Sequence, residues 1–233
     1  RPCDYYYVTP GHQVPTGVAM SSARRRQLLE HAARHDAVII EDDYDSESNF
    51  TLNPLPALKA SDRSGRVVYV SSLSKALSPG LRLGFMVADP DLIDEARALR
   101  RLVYRHPPTN IQYQMAHFLA QGHYETHLRR YHYDSAQRWE RLHAALQRYL
   151  PSCRALAGSE HANAFWLQTP VQINTQQLTW RAAHAGVLIE HGARHFLSAA
   201  PPDNYFRMGF HAINPDAIAQ GVEVLRGQLE QMG

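Results

Sequence analysis

The sequence predicts an α/β protein, a doubly wound sheet of largely parallel strands with helices packed on it, followed by a smaller α+β domain. Three observations carry this reading. Short apolar runs rich in β-branched residues, at 37–41, 66–71 and 82–88, alternate with longer helical patterns. The residues able to do chemistry lie just past the ends of such runs, where open α/β sheets place their ligands. Pro151 then closes a long charged helix, and the elements beyond it are shorter and mixed.

The chain opens in a strand, Tyr5-Tyr-Tyr-Val8. A serine cap starts a helix over 21–35, and the strand at 37–41 follows it. An irregular stretch with Pro54 and Pro56 leads to the strand at 66–71, and the next strand is placed at 82–88. Asp89-Pro-Asp91 is a helix start, with helices expected over 90–105, 109–121 and 124–149. After Pro151 the pattern predicts a strand at 164–168, a helix at 174–185, strands at 187–190 and 205–210, and a last helix from about 215. This organisation assigns 1–121 to part of a large domain, 122–150 to a connecting helix and 151–233 to a small domain.

Bulk properties exclude several classes. With 24 basic against 22 acidic residues, and Arg24-Arg-Arg26 the one basic run, expected on a water-facing helix side, the stretch is not itself a nucleic-acid reader. No apolar run is long enough to cross a membrane. Cys3 and Cys153 form no disulfide framework, which suits a reducing cytoplasmic location. Fourteen histidines include pairs at i,i+4 spacing, among them His123 with His127 and His191 with His195. Neither pair has a third ligand in sight, and no metal is expected.

The most informative stretch runs from Ser71 to Phe85. Lys75 follows the run Val67-Val-Tyr-Val70, with Ser72 and Ser74 before it and Arg82 seven residues after it. A lysine at the end of a buried strand loses its charge through desolvation and becomes a nucleophilic amine, able to form a Schiff base with an aldehyde. Hydroxyls and a guanidinium nearby suit a phosphate. Together they describe a seat for pyridoxal 5′-phosphate (PLP); the other reading of Ser-Leu-Ser-Lys is a plain polar turn. About thirty residues earlier, Ala37-Val-Ile-Ile-Glu41 ends in Asp42, Asp43, Tyr44, Asp45, Ser46 and Glu47. A carboxylate there would keep the pyridine ring of PLP protonated.

The Ser-x-Ser-Lys-x-x-x-Pro-Gly-x-Arg-x-Gly segment resembles the cofactor-lysine signature of class I/II aminotransferases, the fold-type I PLP enzymes. The resemblance implies an aspartate-aminotransferase-like large domain, incomplete at its amino-terminal side, plus a small domain. It implies Asp42 as partner of the ring nitrogen, with Asp43 the weaker candidate, and Tyr44 as partner of the ring hydroxyl. Ser72, Ser74 and Arg82 would hold the phosphate, Lys75 the aldehyde. Tyr205-Phe-Arg-Met-Gly-Phe210 resembles the last strand of the small domain, which makes Arg207 the partner of a substrate carboxylate.

One departure narrows the likeness. Where many aminotransferases carry Asn-Pro-x-Gly, this chain has Val14-Pro15-Thr16-Gly17 after His12-Gln13. That variant, the Asp-Asp-Tyr-Asp-Ser-Glu run and His127-Leu-Arg-Arg-Tyr131 resemble the effector domains of MocR/GabR-type regulators of the GntR family. The resemblance implies an amine or amino acid sensed through external aldimine formation at Lys75, a homodimer, and DNA contacted only by a winged-helix domain outside this chain. A working aminotransferase is the alternative. The chain lacks a start methionine, and the family carries more of the large domain upstream, so a fragment is expected.

Overall fold

Strand β1 (Tyr5–Val8), helix α1 (Ser22–Arg34) and strand β2 (Val38–Asp42) form a βαβ unit, with β1 and β2 parallel. Ser21 sets the helix start: its Oγ accepts the Arg24 N–H, satisfying a donor that the first turn leaves open. The computed structural model describes residues 3–45, 47, 55–156 and 163–233; Ser46 and Pro54 lie outside the described residues. The chain divides into two units, one of residues up to Gln13 with Ala19–His132, the other of Val14–Val18 with Tyr133–Gly233.

In the first unit the short helix α2 (Leu58–Ser61) precedes β3 (Val67–Ser72), which pairs parallel with β2. Strand β4 (Gly84–Val87) returns antiparallel to β3, giving the order β1-β2-β3-β4. The doubly wound pattern therefore stops at β3. Only residues 73–83 link β3 to β4, too few for the helical crossover that a parallel neighbour requires. Ala32, Ala37, Ile39, Leu58 and Val67 form the core of this layer, with Tyr6, Val8, Leu28 and Leu29 packed against it.

Two polar groups join that buried face. Glu41 is fully buried and accepts the Leu58 and Lys59 N–H groups at 2.6 and 2.9 Å, capping α2 from a distance in sequence. Burial pushes its carboxyl above the usual range even though these bonds favour the ionised form. Arg25 corrects the expectation that the Arg24–Arg26 run faces water. It is 8% exposed, and its guanidinium donates to the Met20, Pro56 and Pro10 carbonyls at 2.7–2.8 Å. Three carbonyls that no strand or helix satisfies draw it inward.

Helices α3 (Pro90–Tyr104), α4 (Thr109–Ala120) and α5 (His123–Tyr149) follow, α3 capped by Asp89 Oδ1 on the Asp91 N–H. Helix α5 runs unbroken for 27 residues, and the division between the units falls within it. In the second unit β5 (Arg154–Ala155), β6 (Ala164–Gln168), β7 (Glu190–His191) and β8 (Tyr205–Gly209) form an antiparallel sheet in the order β5-β6-β8-β7. Helices α6 (Thr175–His184) and α7 (Ile218–Glu230) belong to this unit, and Leu178, Val222 and Leu225 from them are fully buried, as are Phe165, Phe206 and Phe210. The strand expected at 187–190 shrinks to two residues, and the last helix starts as a 3₁₀ turn at Pro215–Ala217.

Candidate functional site

Strand direction gathers the site of the first unit. β2 and β3 are parallel neighbours with Asp42 opposite Val70, so Asp42 ends one strand beside the strand whose end leads to Lys75. β4 returns with Gly84 opposite Ser72, which brings Arg82 back toward the same end of β3. Arg82 itself is in the left-handed region (φ 46°), where it ends the 3₁₀ turn Pro79–Leu81. Ser72 Oγ accepts the Ser74 N–H at 3.2 Å, folding the segment before Lys75 into a tight turn. The polar turn foreseen as a bland reading is thus present, and it is the turn that aims Lys75.

Asp42 is held at both oxygens. Oδ1 accepts the Tyr44 N–H at 3.2 Å, and Oδ2 accepts the Tyr7 hydroxyl. The latter bond, with help from burial, pushes the Tyr7 phenol up to about 12. Asp43 faces elsewhere: it accepts the Tyr69 hydroxyl at 2.9 Å, and burial raises its carboxyl. The two aspartates therefore point to different partners, as side-chain alternation at a strand end requires.

Lys75 departs from the expected desolvated amine. Its side chain is 37% exposed, and Nζ lies 2.6 Å from Oδ2 of Asp45, which is 4% exposed. The ammonium also stands 4.5 Å from the centroid of the Tyr44 ring. A carboxylate that close favours the charged form, so burial alone does not set the chemistry of this lysine. Asp45 is a residue that sequence reasoning did not single out; its place in the acidic run was the one available signal.

His12 is the second missed residue. Burial, and then the positive charge of Lys75, push its imidazole down to about 4. The unfolded chain takes up this proton below the ordinary value of 6.5, so the folded state loses stability as pH falls from about 6.5 to about 4. The slope within that window reaches about 1.4 kcal/mol per pH unit. His12→Gln should remove that slope. Denaturant melts of both proteins, compared at pH 7 and pH 4.5, should show the variant gaining on the wild type as pH falls; the raised carboxyls of Glu41, Asp43 and Glu47 act in both proteins and cancel.

Of the remaining expected residues, Ser74 is buried and Arg82 exposed. Gln13 accepts the Thr9 hydroxyl at 2.7 Å. Arg207 lies in the second unit, on β8, where it donates to Glu190 Oε2 at 3.3 Å; Arg194 and His195 approach Oε1 of the same carboxylate, each at 3.3 Å. His127 is committed through Nε2 to the Ala76 carbonyl at 2.7 Å. Among the described residues there is no group of three or more potential metal ligands, and no helix is long and apolar enough to cross a membrane.

Residues 8–223 match the family described as aminotransferase class I and II. The chain belongs to that family. It is 38% identical over 216 residues to the HTH-type transcriptional regulator TauR of Rhodobacter capsulatus, covering 92% of this chain and 44% of that protein. The probable rhizopine catabolism regulatory protein MocR of Rhizobium meliloti is 34% identical over 225 residues, covering 94% of this chain and 44% of its own length. Among solved structures, Pyrococcus horikoshii kynurenine aminotransferase, in complex with PMP, is 28% identical with a TM-score of 0.87. That likeness covers 97% of this chain and 56% of the enzyme. The chain thus spans less than half the length of the two regulators, and the aminotransferase architecture expected from the motifs is that of the Pyrococcus enzyme.

Proposed function

We propose that this chain is the PLP-binding, aminotransferase-like effector domain of a MocR/GabR-type transcription regulator, which senses an amine or amino acid at Lys75. One observation carries the cofactor reading. Lys75 and Asp42 follow the ends of adjacent parallel strands, so an amine for the aldehyde and a carboxylate for the ring nitrogen stand at one sheet edge. The donor set fits the group: each Asp42 oxygen keeps a second lone pair beyond the bonds to Tyr44 and Tyr7, and Ser72 and Ser74 on the turn after β3, with Arg82 just before β4, supply anion donors.

Bound there, PLP supplies an aldehyde that joins primary amines and a cationic ring that draws electrons from them. The protein's part is orientation and charge. Asp42 holds a proton on the ring nitrogen, Tyr44 bonds the ring hydroxyl, and Ser72, Ser74 and Arg82 anchor the phosphate. Lys75 Nζ would hold the aldehyde. Arg207, which now donates to Glu190, would be the partner for the carboxylate of an amino-acid ligand. The division of roles stays 1–121 for cofactor, 122–150 for the connecting helix and 151–233 for the small domain. We take the assembly to be a cytoplasmic homodimer that meets DNA through a winged-helix domain outside this chain.

The His-Gln-x-Pro-x-Gly segment at 12–17 and His127-Leu-Arg-Arg-Tyr131 support the regulator, as do the two regulators at 34–38% identity. The likeness to the Pyrococcus enzyme supports the alternative of an active aminotransferase. The cofactor test is optical. Purified protein given PLP should develop a visible band that borohydride fixes as a covalent mass addition on the peptide carrying Lys75. A spectrum equal to that of free PLP overturns the assignment.

A further inference from the structure

Lys75 and Asp45 are held together from a third element. His127 donates its Nε2–H to the carbonyl of Ala76, the residue after the lysine, at 2.7 Å. His132 donates its Nε2–H to the carbonyl of Glu47, two residues beyond Asp45, also at 2.7 Å. The Glu47 carboxylate accepts the Tyr124 hydroxyl. The first turns of α5 thus pin both loops, and the 2.6 Å ion pair between them rests on a fixed frame. Titratable groups near the pair include Tyr44, over whose ring the ammonium lies, and His12, which burial keeps neutral.

We propose that Asp45 is the counter-ion that keeps Lys75 protonated whenever the lysine is not bonded to the cofactor, and that it thereby restrains this site to sensing rather than turnover. The second half of this proposal rests on the PLP reading. Transamination needs a freed lysine with a lone pair on Nζ, because that lone pair takes the proton from the ligand's Cα. An ammonium has no such lone pair. With Asp45 at 2.6 Å and nearly buried, the displaced lysine takes up the proton that the incoming ammonium brings and holds it, so the step after binding is slowed. Without the carboxylate, a larger fraction of the ammonium gives its proton to water and keeps the electron pair on nitrogen, so the Cα proton meets an acceptor more often. Asp45 acts on the reacting amine directly, and α5 sets its position.

The chain's two lysines make the test clean, since Lys59, paired with Asp62 at 3.4 Å, serves as internal control. PLP-free wild type and Asp45→Asn are acylated with acetic anhydride across a pH series, and each lysine is read by peptide mass. The titration midpoint of Lys75 should fall by about one unit or more in the variant, roughly a tenfold gain in free amine, with Lys59 unmoved. In a second arm, the PLP-loaded proteins receive an equimolar mixture of common L-amino acids without 2-oxo acid. Conversion of the cofactor to its amine form should run roughly tenfold faster in Asp45→Asn. An unchanged Lys75 midpoint overturns the ion-pair role. Equal or slower conversion overturns the restraint on turnover. If neither protein binds PLP while the midpoint still shifts, the cofactor reading fails and the restraint with it, but the counter-ion stands.

Discussion

Lys75→Ala should abolish covalent capture of PLP: no visible band, and no borohydride-fixed mass on any peptide. Lys75 is the one primary side-chain amine on the turn after β3, and Lys59, the chain's other lysine, is on α2 and engaged with Asp62. The variant also removes the cation 2.6 Å from Asp45, a nearly buried carboxylate. Breaking a buried pair costs about 3–5 kcal/mol, but the lysine end is 37% exposed and solvent screens it, so a cost of roughly 1–2 kcal/mol is expected here. The double variant Lys75→Ala/Asp45→Asn should recover most of that stability and still fail to capture PLP. The pair of results separates loss of chemistry from loss of fold. A band that persists in Lys75→Ala would remove the basis of the functional reading.

Gly192→Ala should destabilise the second unit by about 3 kcal/mol, the upper end of what overpacking costs. Gly192 is buried just past β7, where a Cβ would lie 2.4 Å from the Tyr205 carbonyl oxygen, and 2.7 Å from both its carbon and the Trp166 ring. Two of those three atoms are backbone of β8 and cannot step aside. Relief requires β7 to move off β8, and with it Glu190, the partner of Arg207 across the strands. For a chain of this length the shift corresponds to roughly 6–12 °C in Tm. Gly227→Ala is the matched control: it lies within α7, a Cβ there meets nothing within 4 Å, and helix propensity favours alanine by about 1 kcal/mol. Thermal melts should move in opposite directions for the two glycines.

Local pattern carried most of the element boundaries. The strand at 164–168 and the helices over 109–120 and 123–149 fall within a residue of where periodicity puts them, because an apolar stripe acts within a few residues. Helix α2 escaped notice: it is four residues long, beside prolines, and its cap is the Glu41 carboxylate from 17 residues earlier. The antiparallel turn of β4 was equally hidden, since an apolar run has no direction written in it.

The cofactor motif was legible for the same local reason. Lysine, serines and arginine must sit within the one short connection from β3 to β4 to serve one phosphate and one aldehyde, so their spacing is itself the signal. Arg25 was misjudged because its destination, three carbonyls at 10, 20 and 56, is assembled from distant segments.

Sequence by itself determined the alternation of strands and helices, the family, and the order of the groups able to hold a cofactor. Tertiary structure alone decided which carboxylate faces which partner: Tyr7 on Asp42, Tyr69 on Asp43, and Lys75 on Asp45. The physical reason is that periodicity and capping act over a few residues, whereas an ion pair or hydrogen bond depends on ångström distances between segments some thirty residues apart. Those distances exist only once the sheet and α5 have closed around them.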